Sequence, residues 1–185
     1  MIFNNFDRIV FAGDSVTDMG SVQPVGEGLF DNVGHGYVRI VKSMLAAFYP
    51  EIYLRVTNSG ISGDTSRDLL TRFERDVIGL KPDWVSICIG INDVWRQFDS
   101  PAITDTHVLP DEYVTICSKL SEKYECIFVD FQKMFEEYCQ IRHSSYLAWD
   151  RIHPNYVGSV LMACAFLDDV DLIRTIEKRK NNELF

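Results

Sequence analysis

The sequence predicts an α/β fold, in which helices cover both faces of a mostly parallel sheet. Short apolar runs typical of buried strands alternate with longer segments whose apolar residues recur at the helical spacing. Parallel neighbours need a long crossover connection, and each helical segment supplies one. The 185 residues contain 46% apolar residues and no internal repeat, so we expect one domain over residues 1–185 with a polar tail from about residue 169.

The first half of the chain predicts three strands separated by two helices. Residues 9–12 form a short apolar run that ends at a glycine, and residues 37–48 then follow a helical period. Residues 53–57 alternate like a strand. Apolar residues at helical spacing over 69–77 precede an unbroken apolar run over 84–89. Such unbroken runs are typical of strands that are buried on both faces.

The second half predicts less sheet. A helix is expected over residues 111–124, a strand over 126–129 and a last helix over 155–167. We expect the strand over 126–129 to pair with the strand over 84–89, at the open edge of the sheet.

Composition argues against several classes of partner. The formal charge of −9 opposes attraction to nucleic acid and to anionic membranes. The apolar run near the N-terminus is too short for a signal peptide. The five cysteines form no C-x-x-C pair and lie mostly in apolar stretches, so we expect buried thiols in a reducing cytoplasm.

Cofactors and metals are not expected either. Gly26-Glu27-Gly28 and Gly34-His35-Gly36 lack the third glycine of a dinucleotide-binding fingerprint. The four histidines show no spacing typical of zinc ligands, with one another or with the cysteines.

Small polar residues follow three predicted strands, where ligands bind in sheets of this class. These segments are residues 13–15, 58–64 and 90–93. Each combines glycine with Ser, Asn or Asp, a composition suited to holding polar groups close to a substrate.

Nucleophilic catalysis by serine is the chemistry that these residues could support. Ser15 follows the first strand, and Asp150 lies three positions before His153, so the carboxylate can orient the imidazole. The Ser15 amide, the Gly63 amide and the Asn92 side chain could stabilise an oxyanion. Each residue also has an ordinary alternative: Ser15 could cap a helix, Gly63 could serve a turn, and Asn92 could cap its own loop.

Four blocks of sequence resemble the signatures of the SGNH, or GDSL-like, hydrolase superfamily. They are GDSVTD from Gly13, NSGISGDT from Asn58, GINDVW from Gly90 and DRIHPN from Asp150. The resemblance implies a flavodoxin-like three-layer α/β/α sandwich. It further implies that Ser15 is the nucleophile, His153 the base and Asp150 its partner. Ser15, Gly63 and Asn92 would form the oxyanion hole.

Further segments resemble one branch, the intracellular acetylxylan esterases of Gram-positive bacteria. The similar segments are PVGEG, GYV, KPDWVSI, GINDVWRQ and LAWDRIHP. This resemblance implies an acetylated xylo-oligosaccharide substrate. The residues it implies near the pocket are Asp14, Tyr37, Trp95, Arg96 and Trp149. For the aromatic residues, ordinary packing is the alternative.

The sequence departs from these relatives in its middle. By this resemblance, a segment is deleted between Thr115 and Ile116, where one helix replaces helix, strand, loop and helix. We therefore expect four strands instead of five, with the last one shifted inward by about 4.8 Å. The shift either spares the triad or leaves an impaired relative that only binds carbohydrate or ester. Exposed apolar surface left by the deletion favours a homo-oligomer.

Overall fold

The computed structural model describes residues 2–100 and 110–170 of the chain. Its sheet has four strands in the order β2-β3-β1-β4. The strands are β1 (Arg8–Gly13), β2 (Gly26–Glu27), β3 (Arg55–Gly60) and β4 (Trp84–Cys88). β1 is parallel to both β3 and β4, and the short β2 is antiparallel to β3. The predicted α/β class, with a mostly parallel four-stranded sheet, is confirmed.

Seven α-helices accompany this sheet in the described part of the chain, and the four predicted ones are among them. The helices are α1 (Ser15–Asp18), α2 (Tyr37–Phe48), α3 (Ser66–Asp76), α4 (Ile91–Asp99), α5 (Pro110–Tyr124), α6 (Phe131–Cys139) and α7 (Tyr156–Asp169). Asn155 begins α7 as its N-cap, where its side chain accepts hydrogen bonds from the amides of Val157 and Gly158.

The central strand β1 is buried on both faces. Ile9 and Phe11 point to a core built mainly from α2 and α7, which pack against each other. Val10 and Ala12 point to the opposite face, where α3 covers them. This alternation explains why β1 is continuously apolar in sequence.

One predicted strand was wrong. Residues 126–130 form no strand, and the fourth strand is β2, which the sequence did not predict. Val129 instead packs against the α2 and α7 core, so this segment does not pair with β4. β4 is therefore the last strand of the described sheet, and Val85 and Ile87 remain 38% and 56% exposed.

The region of the apparent deletion is a single continuous helix. α5 runs through Thr115 and Ile116 without interruption, and Ile116 and Leu120 are half-exposed. The expected burial of the thiols is wrong for Cys117, which lies on α5. It is also wrong for Cys126 and Cys139, which are exposed as well.

The predicted C-terminal tail lies outside the described residues from position 171 onward. Among residues 2–100 and 110–170, no helix is both long and apolar enough to cross a membrane.

Candidate active site

Ser15 stands at the end of β1, where the backbone makes an abrupt turn into α1. Gly13 allows β4 to approach the end of β1 closely, because a Cβ there would lie 2.2 Å from the Cys88 carbonyl oxygen. Asp14 is the N-cap of α1 and accepts a hydrogen bond of 2.9 Å from the Val16 amide. Capping is thus performed by Asp14, which leaves the Ser15 hydroxyl available for another partner.

That partner is His153, which is 138 positions away in the sequence. Ser15 Oγ lies 2.8 Å from His153 Nε2, and His153 Nδ1 lies 2.6 Å from Asp150 Oδ2. Both distances fall in the range expected when a base is in place for a nucleophile. The hydrogen bond from His153, followed by those from backbone amides, holds the pKa of Asp150 well below its usual range.

The loop that carries Asp150 and His153 is anchored by α7 and not by a strand of the main sheet. Ala148 and Pro154 form an isolated antiparallel bridge that closes the loop. The Asn155 amide donates to the Leu147 carbonyl at 2.7 Å, and the Asn155 side chain donates to the Tyr146 carbonyl at 2.9 Å. Because α7 packs in the core, these bonds fix the loop without the missing piece of sheet.

Two further polar groups lie at the same edge of the sheet, that of Gly63 on a loop and that of Asn92 in the first turn of α4. Gly13 pairs with Gly60 in the strand register, so the segment that carries Gly63 begins beside Ser15. Gly63 is exposed with φ of +91°, a conformation that favours glycine. Asn92 is 2% exposed and donates one amide hydrogen to the Asp64 carbonyl at 2.9 Å. Its second amide hydrogen can be offered to another acceptor.

Asp14 is a buried carboxylate next to this site. Burial raises its pKa to about 6, whereas the Val16 amide and the charge of His153 act in the opposite direction. Asp14 therefore changes its charge near pH 6.

The remaining residues predicted near the pocket fall into two groups. Trp149 is 85% exposed beside Asp150, and Trp95 is half-buried with the Arg96 guanidinium 5.0 Å from its ring centroid. Tyr37, in contrast, is 1% exposed and packs edge-on against Phe11. The structure leaves the first three accessible and places Tyr37 in the core, so the packing alternative describes Tyr37.

Sequence reasoning assigned no role to several side chains that connect the loops of the site. Asp93 accepts hydrogen bonds from the Ser66 amide and hydroxyl, at 2.8 and 2.6 Å, and thereby joins α4 to α3. Arg72 is a buried charge on the face of α3 that also carries Leu69. The sequence signal for Arg72 was its spacing, because it lies three positions after Leu69 on a helix that faces the core.

Comparison with known proteins agrees with this geometry. Residues 11–109, more than half of the chain, match the GDSL-like Lipase/Acylhydrolase family. The chain belongs to this family. It is 39% identical to an acetylxylan esterase from Geobacillus stearothermophilus, over 89% of this chain and 94% of that protein. The matched stretch of 205 positions exceeds the 185 residues of this chain, so the relative carries residues that this GDSL-like protein lacks.

Solved structures of family members superpose closely. Axe2, the acetylxylan esterase from Geobacillus stearothermophilus, gives a TM-score of 0.84 at 39% identity, covering 92% of this chain and 96% of that one. LAE5, described as an α/β hydrolase from the metagenome of Lake Arreo in Spain, gives 0.81 at 39% identity, with 92% and 97% covered. Catalytic mutants of Axe2 replace a serine, a histidine and an aspartate by alanine. This chain is thus an esterase of the GDSL-like family.

Proposed function

We propose that this esterase removes acetyl or other short acyl groups from a small carbohydrate such as a xylo-oligosaccharide. The observation that carries the proposal is the continuous contact from Ser15 Oγ through the His153 ring to Asp150, with distances of 2.8 and 2.6 Å. In Axe2, the aspartate and histidine that were mutated are also three positions apart.

In the proposed reaction, Ser15 Oγ attacks the ester carbonyl carbon while His153 Nε2 accepts the hydroxyl proton. The tetrahedral intermediate collapses, the bond to the sugar oxygen breaks, and His153 returns the proton to the leaving sugar hydroxyl. Water then attacks the acyl-enzyme with His153 as base again, which releases the carboxylic acid and restores Ser15. Asp150 orients the imidazole and stabilises its protonated form.

The negative charge on the tetrahedral oxygen needs hydrogen-bond donors that are already in place. We assign this role to the backbone amides of Ser15 and Gly63 and to the second amide hydrogen of Asn92. All three donors are uncharged amides, so no charged side chain has to move when the intermediate forms.

We assign the sugar half of the substrate to the residues that the resemblance implies near the pocket. Trp149 presents an exposed ring beside Asp150, and Trp95 with Arg96 presents a second aromatic and cationic surface. Exposed aromatic rings suit stacking on a sugar face. A further Axe2 mutant replaces the tryptophan that directly precedes its aspartate, the place that Trp149 has here.

Turnover of p-nitrophenyl acetate and release of acetate from acetylated xylo-oligosaccharides test the proposal. We expect both reactions in the wild-type protein and neither in Ser15→Ala. A wild-type protein with no more turnover than Ser15→Ala contradicts the esterase assignment. If that protein still binds xylo-oligosaccharide by calorimetry but does not react with a fluorophosphonate, it is a carbohydrate-binding relative that has lost its activity.

The assembly and the surroundings of the enzyme stay predictions. Half-exposed Val85 and Ile87 on β4 support a homo-oligomer, and sedimentation velocity measures it directly. The net charge of −9 supports a protein without nucleic-acid or membrane partners, and the cysteine pattern supports a cytoplasmic location. No cofactor or metal is assigned to the proposed reaction.

A further inference from the structure

The loop that carries Gly63 has little packing of its own. A Cβ at Gly63 would meet nothing within 4 Å, and Ser62 beside it is exposed. The backbone of the loop is held by the Ile61 amide, which donates to the Gly13 carbonyl at 3.0 Å, and by the Asp64 amide, which donates to the Ile61 carbonyl at 3.2 Å. The direction of the Gly63 amide therefore depends on its two flanking residues.

The residue before Gly63 is held by a buried carboxylate. Ser62 Oγ donates to Asp18 Oδ2 at 2.6 Å. Asp18 is itself fixed, because its Oδ1 accepts hydrogen bonds from the Ser21 amide at 3.0 Å, the Ser21 hydroxyl at 2.9 Å and the Gln23 side chain at 2.9 Å. A carboxylate with this many donors can take few other orientations.

The residue after Gly63 is held by a buried guanidinium. Arg72 Nε donates to Asp64 Oδ2 at 2.6 Å. The other nitrogens of Arg72 donate to the Ser59 carbonyl at 2.9 Å, to the Ser59 hydroxyl at 3.1 Å and to the Gly13 carbonyl at 3.1 Å. Arg72 thus joins the end of β1, the end of β3 and the Gly63 loop.

The hydrogen bonds around Asp64 also extend to Asn92. The Asp64 carbonyl accepts one hydrogen of the Asn92 amide at 2.9 Å, so the orientation of Asp64 helps to set the direction of the second hydrogen. A rigid arrangement of donors matters here, because electrostatic stabilisation of an oxyanion is effective only when the donors need not reorganise.

We propose that Asp18 and Arg72 are positioning residues that clamp Ser62 and Asp64 and so fix the Gly63 and Asn92 donors at the site. This inference rests on the proposed esterase function. The clamp acts through Ser62 and Asp64, and the bonds that carry it run to these side chains and to strand-end carbonyls.

Ser62→Ala tests the Asp18 side of the clamp with little risk to folding, because Ser62 is exposed. We expect kcat for p-nitrophenyl acetate to fall about 10-fold to 100-fold while KM stays within about 3-fold. The rate is expressed per site labelled by fluorophosphonate, so a loss of folded protein is not counted. Ser62→Thr retains a hydroxyl and should recover most of kcat. Thr71→Ala removes an exposed hydroxyl from α3 and should leave kcat unchanged.

Arg72→Met tests the other side, with Arg75→Met as its control on the same helix. Arg75 bonds Asp76 at 2.6 Å and is largely exposed. We expect a loss of kcat for Arg72→Met at least as large as for Ser62→Ala, and no loss for Arg75→Met. Equal kcat per labelled site in wild type and Ser62→Ala overturns the clamp, as does equal kcat in the two arginine variants.

Amide hydrogen exchange of residues 61–64, measured by mass spectrometry, separates the clamp from the esterase function. Exchange should be faster in Ser62→Ala than in wild type and normal in Thr71→Ala. Unchanged exchange in Ser62→Ala contradicts the clamp even if the protein hydrolyses esters. Faster exchange in Ser62→Ala than in wild type, combined with a wild type that hydrolyses no ester, supports the clamp and contradicts the proposed function.

Discussion

The two halves of the candidate site are held in different ways. Ser15, Gly63 and Asn92 follow strands whose ends are level in the sheet. Asn92 is buried, and so is Asp14, which directly precedes Ser15. Asp150 and His153 lie in an exposed loop, with 55% and 35% of their side chains exposed. The sheet therefore positions one half, whereas the cap of α7 and a single bridge position the other.

This difference explains why a shortened sheet does not separate the two halves. The sequence predicts a strand over residues 126–129 whose shift either spares or impairs the triad. In the structure that segment is irregular, and Asn155 connects the loop to a helix that packs against α2. Changes at the edge of the sheet and changes in the loop should thus have separate effects.

The largest effect in the loop half is expected from Asp150→Asn. The amide would favour the wrong tautomer of His153, so kcat should fall about 10⁴-fold, less than the about 10⁶-fold loss for Ser15→Ala. Steady-state kinetics measures both variants, with Asp111→Asn as an exposed control. An Asp150→Asn variant that keeps wild-type kcat would show that the carboxylate has no part in the reaction.

The low pKa of Asp150 adds a pH dependence to this comparison. Because this carboxylate stays ionised in moderate acid, protonation of Asp150 should not limit activity there, which the pH profile of kcat measures. The contribution of the Asp150 charge to stability is present above the usual carboxylate pKa and is lost only in strong acid.

In the sheet half, Asn92→Ala should lower kcat about 10²-fold to 10³-fold with little change in KM, because it removes one donor to the oxyanion. Asn32→Ala is the matched control. The Asn32 side chain, which lies on a loop, also donates to a backbone carbonyl, that of Glu27, at 3.0 Å. A change in KM alone would assign Asn92 to substrate binding instead.

Protonation of Asp14, in the sheet half of the site, affects the stability of the fold. Its pKa of about 6 in the folded state exceeds the value of 3.8 for a free carboxyl, so the folded state holds this proton more tightly. The resulting stabilisation is complete below pH 3.8 and is lost as the pH rises through about 6. The shift corresponds to a contribution on the order of 3 kcal/mol.

Asp14→Asn should therefore remove this fall in the free energy of unfolding between pH 4 and pH 6. Urea denaturation at several pH values measures the slope, and Asp111→Asn should keep it. An unchanged slope in Asp14→Asn would mean that another group titrates there.

The smallest effect is expected from Asn155→Ala, which removes the cap of α7 and an anchor of the loop. We expect about 1 kcal/mol of lost stability and a several-fold lower kcat, because the position of His153 loosens. Asp130→Ala removes the cap of α6, where Asp130 accepts from the Lys133 amide at 2.9 Å. It should lose similar stability and keep kcat. Equal kcat in the two variants would contradict a role of α7 in holding the loop.

Much of the fold could be predicted because local pattern and burial agree. Each of β1, α2, α3, α5 and α7 has either an apolar run or apolar residues at helical spacing. The segment over 126–129 has the same apolar composition, but a strand also needs a neighbour, which composition does not reveal. Exposure of Cys117, Cys126 and Cys139 was missed for the same reason.

The sequence by itself determined which groups could react: a serine after the first strand, an aspartate and histidine three positions apart, and glycine and asparagine after two other strands. These are properties of neighbouring residues. Only the tertiary structure decided that Ser15 and His153 meet across 138 positions and that Arg72 joins the loops of the sheet half. Those contacts depend on how helices pack on the sheet, and packing is set by the whole chain at once.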